Sequence, residues 1–176
     1  MHLRRGLLFT LLATFLSVVT SAGATPPRRV TRIHIDKSEH PMELLAGEDV
    51  VASYRGAIGP GGAGPKKQEG DQVTPVGRYH VVSKSPSRYR FFLGLDYPNA
   101  QDRARFARLK REGELPPAAT IGGAIGIHGP PVSMPEEDKP ALKQVDWTLG
   151  CIAVGDDEIK QIARLVPVGT PVDIDD

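Results

Sequence analysis

Cys151 is the only cysteine of the chain, and it shares the sequence with five histidines. These are the side chains suited to nucleophilic and acid–base chemistry near neutral pH. A free thiol ionises at ~8.5 and only its thiolate attacks well, so such a cysteine needs a neighbouring base. Four histidines are poorly placed for that role. His2 lies in an apolar leader, His34 alternates with Ile33 and Ile35 and faces solvent, His40 stands in a turn before Pro41, and His80 alternates with Tyr79 and Val81. His128 differs, because it closes the apolar run Ile121–Ile127 and is followed by Gly129 and two prolines, which places it at a strand mouth. Cys151 follows a glycine in Thr148-Leu149-Gly150-Cys151-Ile152-Ala153-Val154. An imidazole beside that sulfur would stabilise the thiolate, which attacks a carbonyl while the imidazolium protonates the leaving amine. Gly150 allows close backbone approach, and N–H groups around residues 149–151 would face the resulting oxyanion. The residues alone leave open a plainer reading, an inert buried cysteine and an unrelated histidine. One cysteine and scattered histidines lack the clustered spacing of a zinc site, so no metal and no cofactor is expected.

The elements that must position this pair are mostly strands. Val30–Asp36, Pro41–Ala46 and Val50–Ile58 read as a meander with short turns between them. Residues 59–71 (GPGGAGPKKQEGD) form a long loop of the functional or irregular kind, but no Gly-Lys-Ser/Thr or helix follows it to cradle phosphate. Strands are expected at Arg78–Ser83 and Arg88–Leu95. Asn99 can cap a helix over Ala100–Arg111, whose basic residues from Arg103 to Arg111 read as a solvated face or as a patch for an anionic polymer or carboxylate. A proline-rich loop covers 130–146. A second helix begins at Asp156, with Ile159, Ile162, Ala163 and Val166 on one face and Pro167 ending it, and Thr170–Ile174 closes the chain as a strand.

Residues 1–24 read as a secretory signal: Arg4 and Arg5, an apolar run from Gly6 to Val19, then Ala22-Gly23-Ala24 before the expected cleavage. The run is shorter than the ~20 residues a membrane-spanning helix needs, so no stable membrane insertion is expected after cleavage. Residues 25–29 are a short lead-in, and 30–174 form one domain. With 22 Lys+Arg against 21 Asp+Glu and 6% aromatic residues, the chain has neither the single-sign charge nor the stacking surface of a nucleic-acid binder.

Ile127-His128-Gly129, a loop, and then Asp146-Trp147-Thr148-Leu149-Gly150-Cys151 resemble the L,D-transpeptidase catalytic domain of YkuD type, with its His-Gly and Ser/Thr-x-Gly-Cys signature. Gly64-Pro65-Lys66-Lys67, Glu69-Gly70-Asp71 and Thr74-Pro75-Val76-Gly77-Arg78-Tyr79 are similar to that family's upstream loop and strand. Leu95-Asp96-Tyr97-Pro98-Asn99-Ala100 and Ile159–Asp173 are similar to an exported subgroup.

The resemblance implies a mostly β, sandwich-like domain with a few short helices, working in the periplasm on peptidoglycan stem peptides. Cys151 would attack the carbonyl of the third stem residue and release D-alanine. The acyl group would then pass to an amine of a second stem, to a lysine of a wall-attached protein, or to water, the last making the protein a hydrolase. A non-catalytic wall-binding module is the reading from another class. By position, His128 would be the general base and acid, the Gly129 carbonyl would orient it, and Gly150 would give an oxyanion N–H. Trp147, Thr148 and Leu149 would meet the substrate. Two departures bear on how a substrate carboxylate is recognised: Leu149 stands where many members have histidine, and Ala153 where many have arginine or asparagine. The 129–146 loop is also longer than in familiar members.

Overall fold

The computed structural model describes residues 29–176. The expected signal segment, its cleavage point and most of the lead-in lie outside these residues. Eight strands form one curled sheet: β1 Arg32–Asp36, β2 Pro41–Ala46, β3 Asp49–Arg55, β4 Gly77–Ser87, β5 Arg90–Leu95, β6 Gly126–His128, β7 Ile152–Ala153 and β8 Pro171–Asp175. Their order is β3-β2-β1-β8-β4-β5-β6-β7. The fold is therefore mostly strand, as the sequence indicates.

Alternation builds the inner face. Ile33 and Ile35 of β1, Met42 and Leu44 of β2, Tyr79 and Val81 of β4, and Val172 and Ile174 of β8 are all buried, because successive residues of a strand face opposite sides. β1 pairs parallel with β8, and β6 parallel with β7, while the other pairings are antiparallel. β4 is long enough to serve both halves of the sheet. Residues 77–80 pair with β8, and from Val81 onward it pairs with β5, with a register shift between Val81 and Ser83. Just beyond β3, Ala57 exchanges two 2.8 Å hydrogen bonds with Ala153 of β7. The two edges of the sheet thus meet, which covers backbone groups that an open edge would expose.

Two helices complete the domain. α1, Ala100–Arg111, starts at a capping box in which Asn99 accepts from the Gln101 and Asp102 N–H groups and Asp102 accepts from that of Asn99, as expected from Asn99. α2, Asp156–Leu165, lays Ile159, Ile162 and Ala163 into the core against β5. The Lys84 ammonium donates to the Ala163 and Val166 carbonyls at its C-terminal end, where orphan acceptors and the helix dipole favour a cation.

Several boundaries differ from the sequence reading. The third meander strand, expected to reach Ile58, ends at Arg55. Of the apolar run 121–127 only Gly126 and Ile127 are strand, continuing to His128, because Gly122 and Ala124 take positive φ and break the extended backbone. β4 continues through Pro86 to Ser87, so Arg88 and Tyr89 form a hairpin turn and β5 begins at Arg90. Proline is tolerated there because this half of β4 pairs on one side only. The 130–146 loop contains a short 3-10 helix, Lys139–Gln144.

Candidate active site

His128 ends β6 and Cys151 immediately precedes β7. The parallel register aligns His128 with Ala153, and the Val154 N–H donates to the His128 carbonyl at 2.9 Å. Cys151 lies two residues before Ala153, so side-chain alternation puts it on the same face as His128. Both side chains line a cleft of about 660 Å³. The other described histidines lie elsewhere, each beside an acid: His34 with Asp175 at 3.2 Å, His40 with Asp146 at 3.1 Å, and His80 with Asp96 at 3.3 Å. Among the described residues no group of three or more His, Cys, Asp or Glu is placed to hold a metal ion, and no helix is long and apolar enough to cross a membrane.

The imidazole is held on all sides. Its Nδ1 lies 2.7 Å from the Gly129 carbonyl. A carbonyl only accepts, so Nδ1 carries the proton in the neutral ring and Nε2 is left as the acceptor. The ring of Tyr89 is 4.5 Å away, Phe92 stacks at 6.2 Å, and Trp147 meets it edge-on at 5.7 Å. Burial among these rings lowers the His128 pKa, and the bond to Gly129 offsets this only in part. Gly129 itself tolerates no side chain, since a Cβ there would lie 2.8 Å from Ile159 and 3.0 Å from the Tyr89 carbonyl.

The turn that leads into Cys151 is equally constrained. Gly150 has φ +120°, and a Cβ would come within 2.8 Å of the Val73 carbonyl. Thr148 Oγ1 accepts the Gly150 N–H at 3.2 Å and donates to the Cys151 carbonyl at 2.7 Å. Its hydroxyl therefore braces the turn, and the residue itself lines the cleft. Trp147 and Leu149 also line the cleft, Leu149 with 73% of its surface exposed. The Cys151 Sγ donates to the Ala124 carbonyl at 3.5 Å. Burial raises the thiol pKa, opposed by the Gly126 backbone N–H and by the positive charge of Lys66.

Both shifts favour the neutral forms, an uncharged thiol and an uncharged imidazole. Burial thus pushes both groups toward their neutral forms, while the Gly126 N–H and Lys66 act on the sulfur, and the Gly129 carbonyl on the imidazole, toward the charged ones.

The sequence reading missed the outer wall of this cleft. Lys66, from the long loop, is buried against Asp71 at 2.5 Å, and Asp71 also accepts from the Lys67, Gln68 and Val73 N–H groups. Burial acts to raise the Asp71 pKa, but the Lys66 ammonium and these N–H groups outweigh it and hold the carboxyl below its usual value. Arg88, Tyr89 and Phe92 come from the β4–β5 hairpin. The cluster of aromatics Tyr89, Phe91 and Phe92 was the available signal. Position 153 is not part of the wall, because Ala153 is buried between Ala57 and β6.

A curled, mostly stranded sheet of this kind is the fold of L,D-transpeptidases of known structure. Residues 30–174 match the model of that family (YkuD), and the chain belongs to it. The Escherichia coli K12 protein YafK, itself a candidate L,D-transpeptidase, is 38% identical over 79 residues, covering 41% of this chain and 32% of YafK. Among solved structures, the helical cell shape determining protein Pgp2 of Campylobacter jejuni superposes with TM-score 0.60 at 24% identity, over 83% of this chain and 47% of Pgp2. The L,D-transpeptidase of Enterococcus faecium (C442S mutant) gives TM-score 0.50 at 18% identity, over 82% and 49%. These structural likenesses establish the fold. The chain spans from about a third to half the length of these relatives.

Proposed function

We propose that the protein is a cysteine acyltransferase acting on peptidoglycan stem peptides in the periplasm. The observation that carries this reading is the placement of Cys151 and His128 on one face of paired parallel strands, in one cleft, with the imidazole tautomer set by Gly129. His128 Nε2 takes the Sγ proton as the sulfur attacks the carbonyl carbon of the third stem residue. The oxyanion faces the Cys151 N–H, while the Gly150 N–H, expected from the sequence to share this role, donates to Thr148 Oγ1 at 3.2 Å and holds the turn that aims its neighbour. As the carbonyl re-forms, the C–N bond to D-alanine breaks and His128 returns the proton to the leaving amine. An incoming amine of a second stem or of a wall-attached protein then attacks the thioester, loses its proton through His128, and regenerates the thiol. The likeness in fold to Pgp2, a protein named for cell shape, supports a role in wall remodelling.

The reading is tested by incubating isolated wall material with wild-type protein and with Cys151→Ala, then resolving the muropeptides by mass. Loss of D-alanine with new cross-linked dimers is expected from the wild type alone. Shortened stems without dimers would make water the acceptor, and identical profiles from both proteins would overturn the reading. Export follows from residues 1–24 in the same proposal, and the intact mass of exported protein should show an N-terminus at Thr25.

A further inference from the structure

Arg88 sits at the β4–β5 hairpin turn and lines the same cleft as Cys151. Its guanidinium carbon lies 5.1 Å above the Tyr89 ring, which is in turn 4.5 Å from the ring of His128. The turn is fixed to the strand end that carries the imidazole: the Gly129 N–H donates to the Tyr89 carbonyl at 3.1 Å and the Val132 N–H to the Arg88 carbonyl at 2.9 Å. A cation is thus held at the cleft on a rigid base, one aromatic ring removed from the proposed general base.

What distinguishes Arg88 is that nothing neutralises it. Arg90, two residues on, bonds Asp156 at 2.8 Å, and Lys66 is buried against Asp71. The one acid of the cleft wall, Glu69, accepts from Thr120 Oγ1 at 2.5 Å. Among the described residues the Arg88 guanidinium has no hydrogen-bond or ion-pair partner, only the ring beneath it. The other cation of the wall is occupied, while aromatic and aliphatic side chains make up much of the rest. A guanidinium offers paired donors matching the two oxygens of a carboxylate, and stacking on an aromatic face keeps that fork oriented.

We propose that Arg88 is the specificity residue for a substrate carboxylate, gripping the C-terminal or the diaminopimelate side-chain carboxylate of the stem. This rests on the acyl-transfer reading for the identity of the peptide, but binding tests it without chemistry. Calorimetric titration uses the Cys151→Ala protein with and without Arg88→Gln, against a stem tetrapeptide as the free acid, as its C-terminal amide, and as its diaminopimelate side-chain amide. The free acid should bind Arg88→Gln about tenfold or more weakly, the size expected when a charge-assisted bond is lost. Arg88→Lys should recover part of that affinity. One of the two amides should bind both proteins equally, which identifies the carboxylate held. The proposal is overturned if Arg88→Gln leaves the free acid unaffected, weakens all three peptides alike, or if the free acid does not bind the parent protein. Failure of the acyl-transfer reading looks different: the titrations discriminate as described, yet protein with Cys151 intact forms no acyl adduct by intact mass.

Discussion

The Nδ1–H of His128 donates to the carbonyl of its own neighbour, Gly129, at 2.7 Å. A bond between adjacent residues at a strand end does what a separate carboxylate does in other cysteine–histidine sites. It selects the tautomer and leaves Nε2 as the acceptor, but adds no negative charge beside the ring. The imidazole therefore stays easy to deprotonate.

A pH profile follows from this. Burial holds His128 below the ordinary imidazole value of ~6.5, so the neutral ring predominates at pH 7. The acylation rate should be level through neutral pH and fall as pH drops through that lowered value. Burial raises the Cys151 thiol, so its alkylation by iodoacetamide should climb with a midpoint above the ordinary thiol value. A midpoint well below it would show a resting ion pair instead.

Gly150→Ala should destabilise the domain. An alanine at φ +120° is strained and its Cβ meets the Val73 carbonyl at 2.8 Å. Backbone strain of this kind costs about 1–3 kcal/mol, which for a chain of this size lowers Tm by roughly 2–4 °C per kcal/mol. A melt that matches the wild type would show that the turn relaxes freely.

Thr148→Val removes the hydroxyl that joins the Gly150 N–H to the Cys151 carbonyl. A loss of about 0.5–1.5 kcal/mol is expected by urea denaturation, with Thr148→Ser close to the wild type. If the serine variant falls as far as valine, packing of the methyl group and not the hydroxyl holds the turn.

Asp71→Asn should be more damaging than Lys66→Met. Removing the carboxylate leaves a buried ammonium without its countercharge, a loss of about 3–5 kcal/mol, whereas Lys66→Met leaves an acid that still accepts three backbone N–H groups. Because burial pressure on Asp71 is outweighed and its pKa lies below the unfolded value, its contribution is present above the usual carboxyl pKa and is lost as pH falls through the lowered one. Urea titrations of wild type and Asp71→Asn should converge in that acid range. Lys66→Met should also push the Cys151 alkylation midpoint higher, since its charge favours the thiolate.

Local pattern determined a good deal. Alternating Ile33 and Ile35, the apolar face of Ile159, Ile162 and Ala163, and the Asn99 cap each act over a few residues, so strands and helices could be read in order from the chain. His128-Gly129 and Gly150-Cys151 likewise singled out the two side chains to watch. What only the tertiary structure decided depends on partners far apart in sequence. The register of β6 on β7 places imidazole and sulfur on one face. The bond of Ala57 to Ala153 closes the sheet. The packing of Tyr89 and Trp147 around His128 buries the ring and lowers its pKa, and the hairpin turn brings an unpaired Arg88 to the cleft. Charge state and access follow from which groups exclude water around a residue, and that exclusion is created by long-range contacts that no short stretch of sequence contains.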